Sequence, residues 1–386
     1  VHPEGSDVAD VTWIGYVAPL SGPLEEPLRD IGLGVELAID ELGPQLGQQP
    51  LGAIFCDSAD DLDGAMAHLA ARDVPLVIGP LRSVNVVSLS PAAVASDTLL
   101  LSPSATSPAI SDLGDADRVW RTSPSAAEEA IVMATLVGEL EARVRAEQPV
   151  APGDPVRVLA LYDQEAALAF TSFEASLVLN GTLVSEDGSA FSSLAYAGGD
   201  PAPVVAAAQS HQPHVVVGFG GPPLANDVIP ALEAAGMTPE YALSGAARAQ
   251  ALSVDLGDAA TRLAGTTHAW RGPVWESFRD RFVAVMGHEP GIGWAANAYD
   301  ATYLAAYLLA IGQSTSGAQL AARMARLVSG AAHDIGPGTT TDVLAALVAG
   351  DSVDVTGASG PLDFDLRVGE PGGYVDLWSL LPSSAA

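Results

Sequence analysis

The run Leu76–Thr106, LVIGPLRSVNVVSLSPAAVASDTLLLSPSAT, constrains the fold more than any other stretch. Two apolar runs, Leu76–Ile78 and Leu99–Leu101, are closed by the turn pairs Gly79-Pro80 and Ser102-Pro103, with a helix-length segment between them. Short continuous apolar runs bounded by turn residues are the pattern of buried, neighbouring parallel strands. A crossover between such strands is right-handed almost without exception, so both strand ends open on one edge of the sheet. Ser83 beyond the first end, and Ser104 with Thr106 beyond the second, are therefore predicted to meet in one crevice, where open α/β sheets bind ligands. Ser83 also falls where the helix begins, so a hydroxyl and backbone N–H groups can face an anion together. The stretch reads as a carboxylate cradle. Pro91, inside the expected helix, implies a kink or a later helix start.

Strands and helices alternate along the rest of the chain, which predicts a doubly wound parallel sheet. Val11–Val17 is a strand leading into APLSGPLEEPLRDIG, a loop whose tip carries Ser21, Glu25 and Glu26 and whose Pro and Gly delay the helix to Asp30–Leu42. Leu51–Cys56 is the next strand and Leu62–Arg72 the next helix. After Arg118–Thr122 the pattern restarts: Val156–Tyr162, Thr182–Ser185, His214–Phe219 and Tyr241–Ser244 read as strands with helical segments between, which implies a second lobe of similar build. A strand-like stretch from Leu263 leads to Arg271-Gly272-Pro273, where the chain can cross back. Helices over Trp275–Val285, Trp294–Ile311, Gly317–Val328 and Thr340–Ala349 follow, and the tail from Ser359 reads as two short strands around a turn.

Composition removes several function classes. The formal charge is −31, with 47 acidic residues against 16 basic ones, every one of them Arg, so nucleic acid and anionic membranes are poor partners. The acidity itself reads as a solvated surface. Cys56, the single cysteine, sits in an apolar run as a core residue and rules out an intrachain disulfide. The longest apolar stretch, around Tyr303–Ile311, is far short of the ~20 residues that span a bilayer. The start, VHPEGSDVADVTW, has no charged-then-apolar leader.

GFGGPP at Gly218–Pro223 resembles a phosphate loop, but its two Pro lack the N–H donors of a cradle and no Lys accompanies it. No His spacing suits a metal, and no nucleophile and base can be paired, so neither enzyme activity nor a cofactor or metal is expected. Asp57/Asp60 and Asp363/Asp365 read as solvated carboxylates rather than an acid–base pair. Trp294, Tyr299 and Tyr303 suit packing or a pocket wall, and Trp270 and His268 fall where the chain crosses between lobes.

The loop APLSGP, the strand end VIGPLRS, the hydroxyl loop SPSATSP, the crossing VWRTSPS, the helix AYDATYLA and the closing SGPLDFD follow one another in an order that resembles the type I periplasmic solute-binding proteins of ABC transporters. The resemblance is to the branched-chain amino-acid binding proteins and the wider extracellular ligand-binding receptors, and runs from about Val11 to Leu380. It implies that Ser83 and the backbone and hydroxyls of Ser104, Ala105 and Thr106 hold the α-carboxylate of a ligand, and that Trp294 lines the side-chain pocket. It also implies a Tyr where this chain has Ala167, and an acid for the ligand ammonium where it has Gly245. Either Glu165, Asp163, Glu25 or Glu26 stands in for that acid or the ligand has no amino group, and Ser21 and Trp270 complete the candidate set. The expected architecture is two parallel-sheet lobes, 11–124 plus 270–356 and 125–269 plus 357–386, hinged near Thr122–Ser125, His268–Arg271 and Gly357–Gly360. The expected protein is a monomer, periplasmic or extracellular, with a lipid anchor ahead of residue 1 left open. It would close on a small carboxylate, foremost an amino acid, and present it to a membrane permease. The alternative is a sensing or assembly module of the same fold.

Overall fold

The computed structural model describes residues 1–2, 11–43, 50–248, 256–291, 293–312 and 316–380. It divides into two units, Val1–Ser125 with Trp270–Tyr374, and Ala126–Ala269 with Val375–Ala386. The first opens with β1 (Thr12–Ala18), α1 (Glu25–Leu42), β2 (Leu51–Asp57), α2 (Leu62–Ala70), β3 (Leu76–Ile78), α3 (Ser83–Ala95), β4 (Leu99–Ser102) and β5 (Val119–Arg121). The five strands form one parallel sheet in the order β2-β1-β3-β4-β5. Leu76–Ile78 and Leu99–Leu101 are fully buried, as continuous apolar strands covered on both faces must be. The order reverses between β1 and β3, and that switch point is where a doubly wound sheet opens a crevice beyond its strand ends.

Two local expectations are corrected here. α1 starts at Glu25 instead of Asp30, straight out of a 3₁₀ turn over Gly22–Leu24, because Pro27 lies in the first turn, where a missing N–H has no intrahelical partner to lose. α3 starts at Ser83 and runs through Pro91. Pro91 is on the exposed face, and so is Val87, whose carbonyl loses its helical donor and can turn to water.

The second unit contains α4 (Ala126–Glu147), β6 (Val158–Tyr162), α5 (Ala167–Ser176), β7 (Val178–Leu179), β8 (Thr182–Leu183), β9 (Phe191–Ala195), α6 (Ala202–His211), β10 (Val215–Phe219), α7 (Ile229–Ala234), β11 (Glu240–Leu243), α8 (Gly245–Arg248) and β12 (Leu263–Ala269). Its sheet has the order β12-β11-β10-β6-β9 and gains one more strand from the C-terminal segment. The strand expected at Thr182–Ser185 pairs instead with β7 in a hairpin, because Asn180 and Gly181 both take positive φ (54° and 83°), the tight turn that Asn-Gly favours. The sheet position goes to β9, the edge strand FSSLA, whose two Ser leave no continuous apolar run to announce it. The helix expected over Ala247–Leu256 is seen as α8, and residues 249–255 of it lie outside the described residues.

The chain returns to the first unit through α9 (Pro273–Met286), α10 (Trp294–Ala310), α11 (Gly317–Arg323), β13 (Ala331–Asp334), α12 (Thr340–Ala349), β14 (Val353–Gly357), β15 (Gly360–Pro361), β16 (Phe364–Asp365) and β17 (Glu370–Pro371). The last strand, β18 (Tyr374–Ser379), joins the second unit's sheet beside β12. Every residue of α10 from Ala295 to Leu308 is buried. It lies so close to α1 that a Cβ on Gly34 would stand 2.2 Å from the Ala295 carbonyl oxygen. Glu41 staples α1 to two helices, accepting from Arg281 Nε of α9 (2.8 Å) and from the Tyr299 and Tyr303 hydroxyls of α10 (2.5 and 3.0 Å).

The first two crossings, at 125/126 and 269/270, are close to the expected hinges, but the third falls at 374/375 and not at Gly357–Gly360. The reason is Asp300 of α10. It is completely buried and accepts hydrogen bonds from Ala358 N (2.9 Å), Ser359 N (2.7 Å) and Ser359 Oγ (2.5 Å), which binds the β14–β15 turn into the first unit. A Cβ on Gly357 would come within 2.1 Å of that carboxylate, so the turn needs glycine there. Trp120 then packs edge-on against Phe364 at 5.6 Å, which keeps β16 in the same unit. No helix among the described residues is long and apolar enough to cross a membrane.

Candidate functional site

The residues proposed for a cradle stand at the ends of β3 and β4. Gly79 closes β3 at φ +107°, and a Cβ there would lie 2.4 Å from the Val17 carbonyl oxygen, so only glycine lets β3 leave the sheet beside β1. The chain then turns through Pro80 and Leu81 to Arg82, whose extended backbone caps α3, and Ser83 becomes the first helical residue. Three hydroxyls knit this turn to the loop after β4. Ser102 Oγ donates to Pro80 O (2.6 Å), Ser104 Oγ donates to Leu81 O (2.9 Å), and Ser83 Oγ accepts from Ser107 N (3.1 Å).

A hydroxyl has one proton and two lone pairs, so these bonds separate the roles of the serines. Ser104 has given its proton to the protein and holds the loop in place. Ser83 accepts from within, which leaves its proton to donate. Among the described residues the Thr106 N–H and hydroxyl and the Ala105 N–H have no protein partner. Ser83, Ser104 and Thr106 are half-buried and Ala105 is buried.

The last residue of β5 and the two residues that follow it brace the loop. Arg121 is fully buried, and its Nη1 donates to Ala105 O (3.1 Å) and Ser107 O (2.8 Å). Ser123 Oγ also donates to Ala105 O (3.0 Å). Thr122, between them, turns to α10: its Oγ1 donates to Asn297 O (2.9 Å) and its carbonyl accepts from Asn297 Nδ2 (2.7 Å). Asn297 Oδ1 accepts from Trp270 Nε1 (2.8 Å), and Trp270 stands edge-on to Trp294 at 5.1 Å. A Cβ on Gly293 would sit 2.2 Å from the Trp270 ring, so that glycine makes room for the indole pair. The two candidate tryptophans are thus together, and β5 connects them to the candidate loop. Arg121, Ser123 and Asn297 were not among the predicted residues. The one hint was an Arg inside the otherwise apolar strand VWR.

Ser21 follows β1 at the switch point, but its hydroxyl bonds to Asp57 at the end of β2. Asp57 also accepts from Leu20 N and Ala59 N (2.9 Å each), and these bonds, the Ser21 hydroxyl first, hold its carboxyl below the usual carboxylate range. Ser21 therefore ties two strand ends together. Glu25 and Glu26 are exposed in the first turn of α1.

In the second unit Glu165 is exposed in the turn between β6 and α5, and Ala167 opens α5. Asp163 has both carboxylate oxygens on backbone, from Ala166 N (2.9 Å) and Gly221 N (3.1 Å). The Gly-rich run serves this contact: Gly220, at φ +138°, would place a Cβ 2.3 Å from Asp163 Oδ2. Beside Gly245 stands an acid the sequence reading missed. Glu129 of α4, buried, accepts from Gly245 N (2.6 Å) and Thr266 Oγ1 (2.8 Å), with His268 Nε2 at 3.7 Å.

The model for the periplasmic binding protein family matches residues 12–365. The chain is 26% identical over 383 residues to BasB of Halobacterium salinarum, a substrate-binding protein of a chemotactic signal transduction system, with 94% of this chain and 85% of BasB covered. Its fold is similar to an ABC transporter solute-binding protein from R. palustris in complex with 4-hydroxybenzoate (TM-score 0.72, 14% identity, 97% of this chain and 94% of that one). It is also similar to LivJ of Streptococcus pneumoniae, a branched-chain amino acid transporter substrate-binding protein in complex with isoleucine (TM-score 0.67, 17% identity, 96% of each chain).

Proposed function

The chain belongs to the periplasmic binding protein family, and from that premise we propose that it is the extracytoplasmic solute-binding component of an ABC transporter, taking a small carboxylate, foremost an amino acid. The observation that carries this reading is the set of donors left unspent at two neighbouring strand ends, the Ser83 O–H after β3 and the Thr106 N–H and hydroxyl after β4, available to an anion. Each such bond to a charged acceptor contributes about 1.5–3 kcal/mol. Trp294 and Trp270 then supply an aromatic wall for the rest of the solute. The relatives' bound ligands, isoleucine and 4-hydroxybenzoate, share the carboxylate and differ in everything else. The three chain crossings support hinge closure, with the solute favouring the closed form because it binds that form more tightly. A second reading, ligand sensing for a signalling partner, is favoured by one observation, the similarity to BasB.

The test is a melting-shift screen against the protein amino acids, their deaminated analogues and hydroxybenzoates. A carboxylate at 100 times its Kd stabilises by about 2.7 kcal/mol. Ser83→Ala with Thr106→Ala should remove that response while moving the unliganded Tm by no more than about 2 °C. An undiminished response in the double variant would overturn the cradle.

A further inference from the structure

We propose that Arg121 acts as a positioning residue that sets the donor strength of the Thr106 N–H through Ala105 O, and that Glu370 holds this effect down. The inference rests on the carboxylate reading above and deepens it. Arg121 is fully buried, so it acts on a solute only through the loop it holds. Its Nη1 and Ser123 Oγ both donate to Ala105 O and together fill that oxygen's two lone pairs. In a trans peptide the N–H points opposite to the C=O, so gripping Ala105 O fixes the direction of the Thr106 N–H. It also polarises that peptide toward donation, as chains of hydrogen bonds do in a low-dielectric surrounding.

Arg121 Nη1 also holds Ser107 O, the carbonyl of the Ser107–Pro108 peptide, which carries no N–H, so this bond positions the loop without polarising a donor. The loop so held places Ser107 N on Ser83 Oγ. One guanidinium therefore polarises the Thr106 N–H and fixes the loop against Ser83. The other side of that guanidinium carries the control. Arg121 Nη2 donates to Glu370 Oε2 of β17 and to Ser111 Oγ (3.0 Å), and Ser111 Oγ donates to Glu370 Oε2 (2.7 Å). The Glu370 carboxylate cancels much of the positive field behind the loop. A group that merely stapled the core would weaken the protein on removal and do nothing selective to anions, whereas a group that cancels field should, when neutralised, improve anion binding.

The experiment uses the full chain and isothermal titration, with the carboxylate of the screen that shifts the wild-type Tm most, and its primary amide as the uncharged twin. Glu370→Gln keeps an acceptor for Arg121 and removes the charge. It should tighten carboxylate binding about 3- to 10-fold and leave the amide within about 2-fold, the size expected of one screened charge several ångströms away. Ser123→Ala should weaken the carboxylate about 2- to 5-fold by loosening Ala105 O, with the amide again less affected. Arg121→Lys should weaken it more than about 10-fold. Should that variant fail to fold, the two others decide. Carboxylate affinity unchanged or lowered in a well-folded Glu370→Gln overturns the inference while leaving the cradle intact. A wild-type protein that responds to no carboxylate overturns both.

Discussion

The strand ends of the two units face opposite chemical tasks. In the first unit the ends of β3 and β4 leave hydrogen-bond donors unspent, Ser83 O–H and Thr106 N–H, and the cation that braces the loop after β4, Arg121, is kept out of water. In the second unit the loops after β6, β10 and β11 turn N–H groups inward onto two carboxylates: Asp163 takes Ala166 and Gly221, and Glu129 takes Gly245. The same sheet architecture therefore gives a donor edge in one unit and an acid-filled edge in the other. Fold alone does not set the sign of a binding surface, and a few side chains beneath the loops do.

The contrast can be broken most forcefully at its glycines. Gly79→Ala meets backbone that cannot move, the Val17 carbonyl, at a positive φ, and should cost about 4 kcal/mol, read as a Tm lower by about 10 °C. Gly220→Ala meets only the movable end of Asp163 and should cost about half as much. Equal losses at the two sites would show that the second edge is as rigidly built as the first.

A smaller effect is expected at Glu129. Glu129→Ala strands the Gly245 N–H and the Thr266 hydroxyl and should cost about 2–3 kcal/mol in thermal unfolding. Glu129→Gln retains an acceptor and should cost about 1 kcal/mol, so a full loss in both variants would mean that the charge itself is required.

A pH-dependent effect sharpens the comparison from inside the first unit, whose buried carboxylate Asp300 is pushed up to about 7 by burial against its three hydrogen-bond donors. A folded pKa above the unfolded value stabilises fully below about pH 4, and this contribution is lost as pH rises through 7. Between pH 6 and pH 8 the first unit should lose about 1.5 kcal/mol from this group, seen as a falling Tm. Asp300→Asn should flatten that slope, and a slope unchanged in the variant would assign it to other groups.

How much of this was legible follows from range along the chain. The cradle's strands, its crossover and the helix start at Ser83 could be read because each rests on neighbours: an apolar run, a turn pair, a hydroxyl at a helix start. Arg121 was hidden because it joins Ala105, 16 residues away, to Glu370, 249 away, and nothing in VWR distinguishes a brace from a surface charge. Glu129 was hidden for the same reason, its partners lying 116 and 137 residues on. Ser21 was legible as a loop-tip hydroxyl but not as a partner of Asp57, and β9 was missed because an edge strand does not require an apolar run.

By itself, then, the sequence determined the alternation of strand and helix, the buried parallel strands and the hydroxyls and glycines at their ends, since periodicity, turn chemistry and backbone freedom are properties of short segments. Only the tertiary structure decided which hydroxyl donates and which accepts, that an arginine backs the loop, that an acid from α4 fills the space beside Gly245, and that Asp300 draws the 357–360 turn into the first unit. Those are choices of partner. A polar group taken out of water must find its partner wherever the fold brings one, regardless of distance along the chain.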